Sequence, residues 1–146
     1  METLSEILRE KAESPLFTVE EDASALEAVH LMNEHSVGAL IVTRDQRMTG
    51  IFTERDVLRR VVGADRNPAG VAVGEVMTSR VICCNPGTTV EEARTLMKNR
   101  RIRHLPVIDT EGDVVGLISI GDLNAYLTSQ HEVTIHYLHE YLHGRV

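Results

Sequence analysis

The heptapeptide GIFTERD at residues 50–56 returns as GLISIGD at residues 116–122. Each copy opens with a glycine and two apolar residues, and each places a hydroxyl residue three positions before an aspartate. A Ser or Thr followed three residues later by an acid is typical of a capping box at the start of a helix. The motif therefore predicts helices that begin after Thr53 and Ser119. It leaves open whether Asp56 and Asp122 only cap these helices or also bind a molecule from outside the chain.

The rest of the chain follows the same repeat. A shift of 65 residues pairs Met32 with Met97, and one extra residue near position 112 makes the shift 66 where Asp56 meets Asp122. Each copy predicts a strand, a helix, two strands and a final helix. A half of this size cannot bury its apolar faces alone. We therefore predict an α/β fold with α+β character, in which two pseudo-symmetric β-α-β-β-α repeats pack sheet to sheet, with helices at both termini.

The repeat also predicts the domain boundaries. We expect an N-terminal helical segment at 1–14, a first repeat at 15–62, a linker at 63–74, a second repeat at 75–128 and a C-terminal helix at 129–146. The linker contains GADRNPAG, which carries the glycines and proline typical of a connection. The first strands of the two repeats are expected at 16–19 and 81–84.

Composition and charge exclude several classes of function. The chain has 22 acidic residues against 15 Lys and Arg, a net charge of −7, which argues against a nucleic-acid partner. No apolar run approaches the roughly 20 residues needed to span a membrane. The N-terminus lacks the apolar core of a signal peptide, so we expect a cytoplasmic protein. Cys83 and Cys84 are adjacent and lack the C-x-x-C spacing, which leaves a redox or metal role open but does not favour it.

The C-terminal sequence HEVTIHYLHEYLHGRV, residues 131–146, combines an apolar stripe with His136, His139 and His143 at helical spacing. The stripe predicts a helix that packs on the module or on a second subunit. No nearby Cys or Asp completes a closed metal site, so we predict no metal, although the role of the histidines stays open. Leu4, Ile7 and Leu8 form a second candidate for a contact between subunits.

The tandem repeat, its two glycine-to-aspartate motifs and IRHLPVID at residues 102–109 resemble the cystathionine-β-synthase (CBS) domain pair, or Bateman module. VGALIVT at residues 37–43 and GIFTERDVLR at residues 50–59 also resemble the stand-alone bacterial members, and the resemblance covers roughly residues 15–128. It implies a homodimer that binds an adenosine-containing ligand such as AMP, ADP, ATP, NAD(P) or S-adenosylmethionine. No catalytic cofactor is implied. Because no effector domain is fused to the repeats, the output is expected in another protein.

The same resemblance implies two pockets, each joining an aspartate from one repeat to an adenine slot from the other. A fixed carboxylate can accept hydrogen bonds from both ribose hydroxyls, and a glycine without Cβ permits close approach of a ligand. The first pocket would contain Ile51, Thr53, Arg55 and Asp56 with Ile102, Arg103, His104 and Pro106; the second would contain Ile118, Ser119 and Asp122 with Val37, Gly38, Ala39 and Ile41. The arginines favour a nucleotide in the first pocket. The second is expected to take a weaker or different adenosine ligand, or none.

Three functions remain after these observations. The first is a non-catalytic regulatory module that binds an adenosine-containing ligand and signals by a change in conformation or partner affinity. The second is a metal-dependent or nucleotide-hydrolysing enzyme that uses the His-rich tail or Asp56, although no P-loop, H-E-x-x-H or G-x-S-x-G motif is present. The third is a dimerising scaffold for protein interactions. We predict the first; the sequence does not identify the ligand, the number of pockets occupied or the downstream partner.

Overall fold

The structure is a computed structural model that describes residues 2–11 and 15–129. Apart from Ser129, the predicted C-terminal helix and all its histidines lie outside the described residues. Within the described part of the chain, no helix is both long enough and apolar enough to cross a membrane.

The helices and strands follow the predicted order with small additions between the repeats. They are α1 Leu4–Glu10, β1 Thr18–Glu20, α2 Ala25–His35, β2 Ala39–Arg44, β3 Arg47–Thr53, α3 Glu54–Asp56, α4 Val73–Val76, α5 Val90–Arg100, β4 His104–Ile108, β5 Val114–Ser119 and α6 Ile120–Thr128. The short α3 runs directly into a π-helical segment, Val57–Val62, and a 3-10 turn occupies Pro68–Gly70.

The repeat predicted from sequence is confirmed by the ends of α2 and α5. Ser24 and Thr89 cap the two N-termini, and each hydroxyl accepts a hydrogen bond of 3.0 Å from the backbone N–H three residues on. Ser36 and Arg101 follow the two C-termini in the left-handed conformation, both with φ of 54°. Both pairs are 65 residues apart, so the two helices start and stop at equivalent places.

The two sheets differ in their first strand. In the first repeat β1 lies parallel to β2, which is antiparallel to β3. In the second repeat β4 and β5 are antiparallel, but the strand predicted at 81–84 is reduced to a single bridge between Cys84 and Val107. That prediction was wrong in extent, and Pro106 supplies the reason. Its counterpart Ile41 donates its backbone N–H to Phe17 at 3.2 Å, whereas a proline has no N–H to extend the ladder.

Each repeat has its own core, and α1 belongs to the second. Leu4 and Ile7 are almost fully buried against α5, β4, β5 and α6. Burial of such side chains stabilises the fold by about 1.5–3 kcal/mol each. The expectation that Leu4 and Ile7 contact another subunit is therefore wrong, because both side chains are buried in the core of their own chain.

Candidate ligand-binding clefts

Both glycine-to-aspartate motifs form the predicted capping boxes. Thr53 accepts from the Asp56 N–H at 3.3 Å, and Asp56 accepts from the Thr53 N–H at 3.0 Å. Ser119 accepts from the Asp122 N–H at 3.0 Å, and Asp122 accepts from the Ser119 N–H at 2.7 Å. Capping is thus shown for both aspartates. Each also lies at the edge of a cleft between the two repeats.

The larger cleft, which we call the wide cleft, has a volume of about 710 Å³. It contains Asp122 and Ser119 from the second repeat and Val37, Gly38 and Ala39 from the first. One wall is apolar and aromatic, because Phe17 stacks on His35 with ring centroids 3.9 Å apart, beside Leu16, Val37 and Val115.

The smaller cleft, which we call the narrow cleft, has a volume of about 370 Å³. It is lined by seven of the residues predicted for the first pocket: Ile51, Thr53, Arg55, Asp56, Ile102, Arg103 and His104. Gly38, Glu54, Arg103 and His104 line both clefts. These four residues therefore form a wall that the two clefts share, which we call the shared wall.

The carboxylate of Asp56 is buried, with 7% of its side chain exposed, and is already bonded within the chain. Its Oδ2 accepts from the backbone N–H and the hydroxyl of Thr53, at 3.0 and 3.2 Å. Its Oδ1 accepts from the Thr78 hydroxyl at 3.0 Å and lies 3.6 Å from Nε of Arg60. A carboxylate has about four lone-pair sites. Little acceptor capacity therefore remains on Asp56 for a ligand.

The carboxylate of Asp122 is more open, with 23% of its side chain exposed. Oδ2 accepts from the Ser119 N–H and from Nζ of Lys11, at 2.7 and 2.8 Å. Among the described residues no group donates to Oδ1 of Asp122. This oxygen can accept a hydrogen bond from a hydroxyl group, whereas Asp56 has little acceptor capacity left.

Three of the predicted residues line neither cleft. Pro106 is buried in β4, Ile118 is buried in the core of the second repeat, and Ile41 is 1% exposed on the face of β2 that turns away from the core of the first. Successive side chains of a strand point to opposite faces. In β5 that alternation places Leu117 and Ser119 at the wide cleft and turns Ile118 to the core.

Sequence reasoning missed Lys11 and Thr78, which bind the two aspartates. Lys11 is 111 residues from Asp122, and Thr78 is 22 residues from Asp56. Neither belongs to the repeated motif, so no local pattern marked them. The predicted cation Arg55 does line the narrow cleft, but its guanidinium donates to the backbone carbonyl of Arg101 at 2.6 Å.

The motif glycines make room for protein rather than for a ligand. A Cβ at Gly50 would lie 2.6 Å from Sδ of Met77 and 2.7 Å from the Thr78 carbonyl oxygen. A Cβ at Gly116 would clash with the Leu8 side chain of α1. The expectation that these glycines admit a ligand is therefore wrong. They let the segment after the linker and the N-terminal helix pack closely.

The shared wall contains one histidine, His104. Burial lowers the pKa of its imidazole, the carboxylates of Glu54 and Asp122 oppose that shift, and Lys11 and Arg103 reinforce it. A neutral imidazole can both donate and accept a hydrogen bond. His104 can therefore contact a ligand from either cleft without adding a full charge.

Two other groups of reactive side chains lie among the described residues, and neither forms a binding site. Burial raises the pKa of the Cys83 and Cys84 thiols, which favours the unreactive protonated form. The carboxylates of Asp109, Glu111 and Asp113 lie within 4.8 Å of one another in the β4–β5 turn. Oδ1 of Asp109 accepts the backbone N–H groups of Glu111 and Asp113 there, so the turn itself accounts for this grouping.

These features define a class of protein: a tandem-repeat α+β module with two clefts, each closed at one end by a capping-box aspartate. Comparison with known sequences gives the family. The family model described as the CBS domain matches residues 4–63 and 73–129, and the chain belongs to this family.

Individual relatives support the assignment over most of the chain. The chain is 35% identical over 151 aligned residues to the CBS domain-containing protein CBSX3, mitochondrial, of Arabidopsis thaliana, covering 97% of this chain and 72% of that protein. A solved structure of a protein with CBS domains from Burkholderia ambifaria matches with a TM-score of 0.83 and 39% identity, covering 87% and 94% of the two chains.

A third relative carries a ligand. The solved structure of the CBS domain protein PAE2072 from Pyrobaculum aerophilum is a complex with AMP. It matches this chain with a TM-score of 0.72 and 27% identity, covering 82% of this chain and 88% of that chain.

Proposed function

We propose that the chain is a non-catalytic regulatory module that binds an adenosine-containing ligand in the wide cleft and signals by a change in conformation or partner affinity. The observation that carries the proposal is the partly exposed Asp122 carboxylate, whose Oδ1 has no donor among the described residues. A ribose offers two adjacent hydroxyls, and a carboxylate held by a capping box is a preorganised acceptor for them. The AMP complex of PAE2072 makes adenine nucleotides the first ligands to test.

The wide cleft also offers a place for the base. The stacked pair Phe17 and His35 lies beside Val37, and backbone groups at Gly38 and Ala39 reach the same cleft. Apolar walls with a few polar groups are typical of small-molecule sites. A volume of about 710 Å³ falls in the range of such sites, which is about 300–1,000 Å³.

The narrow cleft is proposed as a second, weaker site. It holds Arg55, Arg59 and Arg103, which suit phosphate groups, but its aspartate is already bonded by Thr53 and Thr78. The same bonding disfavours the enzyme alternative that uses Asp56 as a base. The three hydrogen bonds that its carboxylate accepts within the chain leave it little capacity to bind and orient an attacking water molecule.

A thermal-unfolding panel with AMP, ADP, ATP, NAD(H), NADP(H) and S-adenosylmethionine tests the proposal. A ligand at 100 times its Kd stabilises the fold by about 2.7 kcal/mol. We expect at least one of these ligands to do so in the wild-type chain, and Asp122→Ala to remove most of the effect. Glu111→Ala, which removes an exposed carboxylate from the β4–β5 turn, is the matched control and should respond like the wild type. A panel without any response would overturn the proposal. Turnover of any of these nucleotides would overturn its statement that the module is non-catalytic.

We propose further that the module works as a homodimer and acts on a separate effector protein. Leu58 and Val62, four residues apart on the π-helical segment, are 65% and 61% exposed. Exposed apolar side chains at helical spacing suit a contact with a second copy. Sedimentation should give a dimer for the wild type and a monomer for Leu58→Glu. Dimers of both would show that this surface does not form the contact.

A further inference from the structure

The N-terminal helix α1 is fixed to the second repeat at several points. Leu4 and Ile7 are buried in its core, and the backbone N–H groups of Leu4 and Ser5 donate to the carbonyls of Thr88 and Pro86, at 2.9 and 3.0 Å. The Tyr126 hydroxyl donates to Glu6 at 2.8 Å. These contacts fix the start of α1, and because the helix has only seven residues they also set the position of its C-terminal end.

That end carries Lys11 into the wide cleft. Its ammonium donates to Oδ2 of Asp122 and to the carbonyl oxygen of Leu117, both at 2.8 Å. An ammonium has three N–H donors. The third has no acceptor among the described residues, and 33% of the Lys11 side chain is exposed in the cleft.

Lys11 also decides the charge of the wide cleft. Two carboxylates, Glu54 and Asp122, line it together with Arg103 and Lys11. With Lys11 the fixed charges balance, and without it the cleft carries one net negative charge. His35 and His104 also line it, and the pKa of His104 is lowered by burial. A net negative cleft repels a phosphate, so an anionic ligand needs Lys11 more than an uncharged one does.

We propose that Lys11 is a specificity-determining residue of the wide cleft: it contacts the phosphate-bearing part of the ligand and selects adenosine phosphates over uncharged adenosine. This inference rests on the proposed function and names the ligand class of the same site. It also makes α1, which packs in the core of the second repeat, part of the binding site.

Binding of adenosine and AMP, measured by calorimetry on the full chain, tests the inference. We expect the wild type to prefer AMP, and Lys11→Met to reduce that preference about tenfold, or ~1.4 kcal/mol. Adenosine affinity should stay within about threefold of the wild-type value, because Oδ1 of Asp122 is untouched. Lys11→Arg keeps the charge and should keep the preference. Lys98→Met, on the exposed face of α5, is the matched control and should behave like the wild type.

The outcomes separate this inference from the proposed function. If the wild type binds but Lys11→Met keeps the full preference for AMP, the role of Lys11 falls and the proposed function stands. If the wild type binds neither adenosine nor AMP, this inference falls, and the proposed function is then decided by the other ligands of the thermal-unfolding panel.

A second measurement needs no substitution. Lys11 and Lys98 are the only lysines in the sequence, so an amine-reactive label read by mass spectrometry compares them in one sample. AMP should protect Lys11 and leave Lys98 unchanged, whereas adenosine should protect Lys11 less. Equal labelling of Lys11 with and without AMP, at saturating AMP in a chain shown to bind it, would overturn the inference.

Discussion

The wide and narrow clefts begin from the same local structure and differ in what packs beside it. Thr53 and Ser119 have the same extended backbone, and both aspartates close a capping box. In the narrow cleft Thr78 and Arg60 contact Oδ1 of Asp56, the oxygen that the cap does not use. In the wide cleft Lys11 is the only described residue outside the cap that bonds to Asp122, and it bonds to Oδ2, the oxygen that the cap already uses. One motif therefore gives a structural acceptor in one repeat and an open acceptor in the other.

Removing each aspartate in turn tests whether the two carboxylates differ in their contribution to stability. Asp56→Ala leaves the Thr78 hydroxyl without its acceptor, removes the ion pair with Arg60 and removes a cap, so we expect a loss of about 3 kcal/mol in the free energy of unfolding. Asp122→Ala removes a cap and a partly exposed ion pair, for which about 1 kcal/mol is expected. Urea unfolding measures both. Equal losses would show that the two carboxylates do the same structural work.

The helix caps test whether the repeats are otherwise equivalent. Ser24→Ala and Thr89→Ala each remove a hydroxyl that accepts a backbone N–H at 3.0 Å, so each should cost about 1 kcal/mol. Ser24→Asp and Thr89→Asp keep an acceptor and should cost less. A clear difference between the two alanine variants would place the asymmetry of the chain in its helices rather than in its clefts.

The left-handed residues after α2 and α5 give a smaller effect of opposite sign. Ser36 and Arg101 carry a Cβ at φ of 54°, which costs roughly 1 kcal/mol relative to glycine. Ser36→Gly and Arg101→Gly should therefore stabilise the chain by about 0.5–1 kcal/mol. Ser36→Ala and Arg101→Ala keep the Cβ and should show no such gain in thermal unfolding, which separates backbone strain from loss of the side chain.

His104 in the shared wall predicts that the free energy of unfolding depends on pH. Because burial lowers the pKa of His104, the unfolded chain binds a proton at a higher pH than the folded chain does. The free energy of unfolding should therefore fall as the pH drops below the usual histidine pKa of 6.5.

His104→Gln should reduce that fall, whereas His30→Gln, on the exposed face of α2, should leave it unchanged. Urea unfolding at about pH 7.5 and about pH 5.5 measures the difference. A fall of the same size in His104→Gln and the wild type would assign the dependence to other groups.

Much of the fold could be predicted from sequence, because its determinants are local and occur twice. The caps at Ser24 and Thr89 and both capping boxes depend on residues at most three positions apart. The strand at 81–84 was predicted too long, since the pattern of apolar residues did not reveal that Pro106 removes a ladder donor on the neighbouring strand.

The site was less predictable than the fold. Seven of the eight residues predicted for the first pocket meet at the narrow cleft, and five of the seven predicted for the second meet at the wide cleft. Ile118 lines neither because it faces the core of its repeat, and Pro106 lines neither although its side chain lies on the opposite face of its strand. The glycines of the motif were assigned to a ligand, but Met77 and Leu8 occupy the space they leave.

The sequence by itself determined the two repeats, the helices that begin at the motifs and the aspartate at each start. These follow from hydrogen bonds and side-chain periodicity within a few residues. Which aspartate keeps a free oxygen follows from tertiary contacts. Packing of distant segments brings Thr78 to Asp56 and Lys11 to Asp122. The hydrogen bonds that a carboxylate can still accept are set by its neighbours in space rather than by those in sequence.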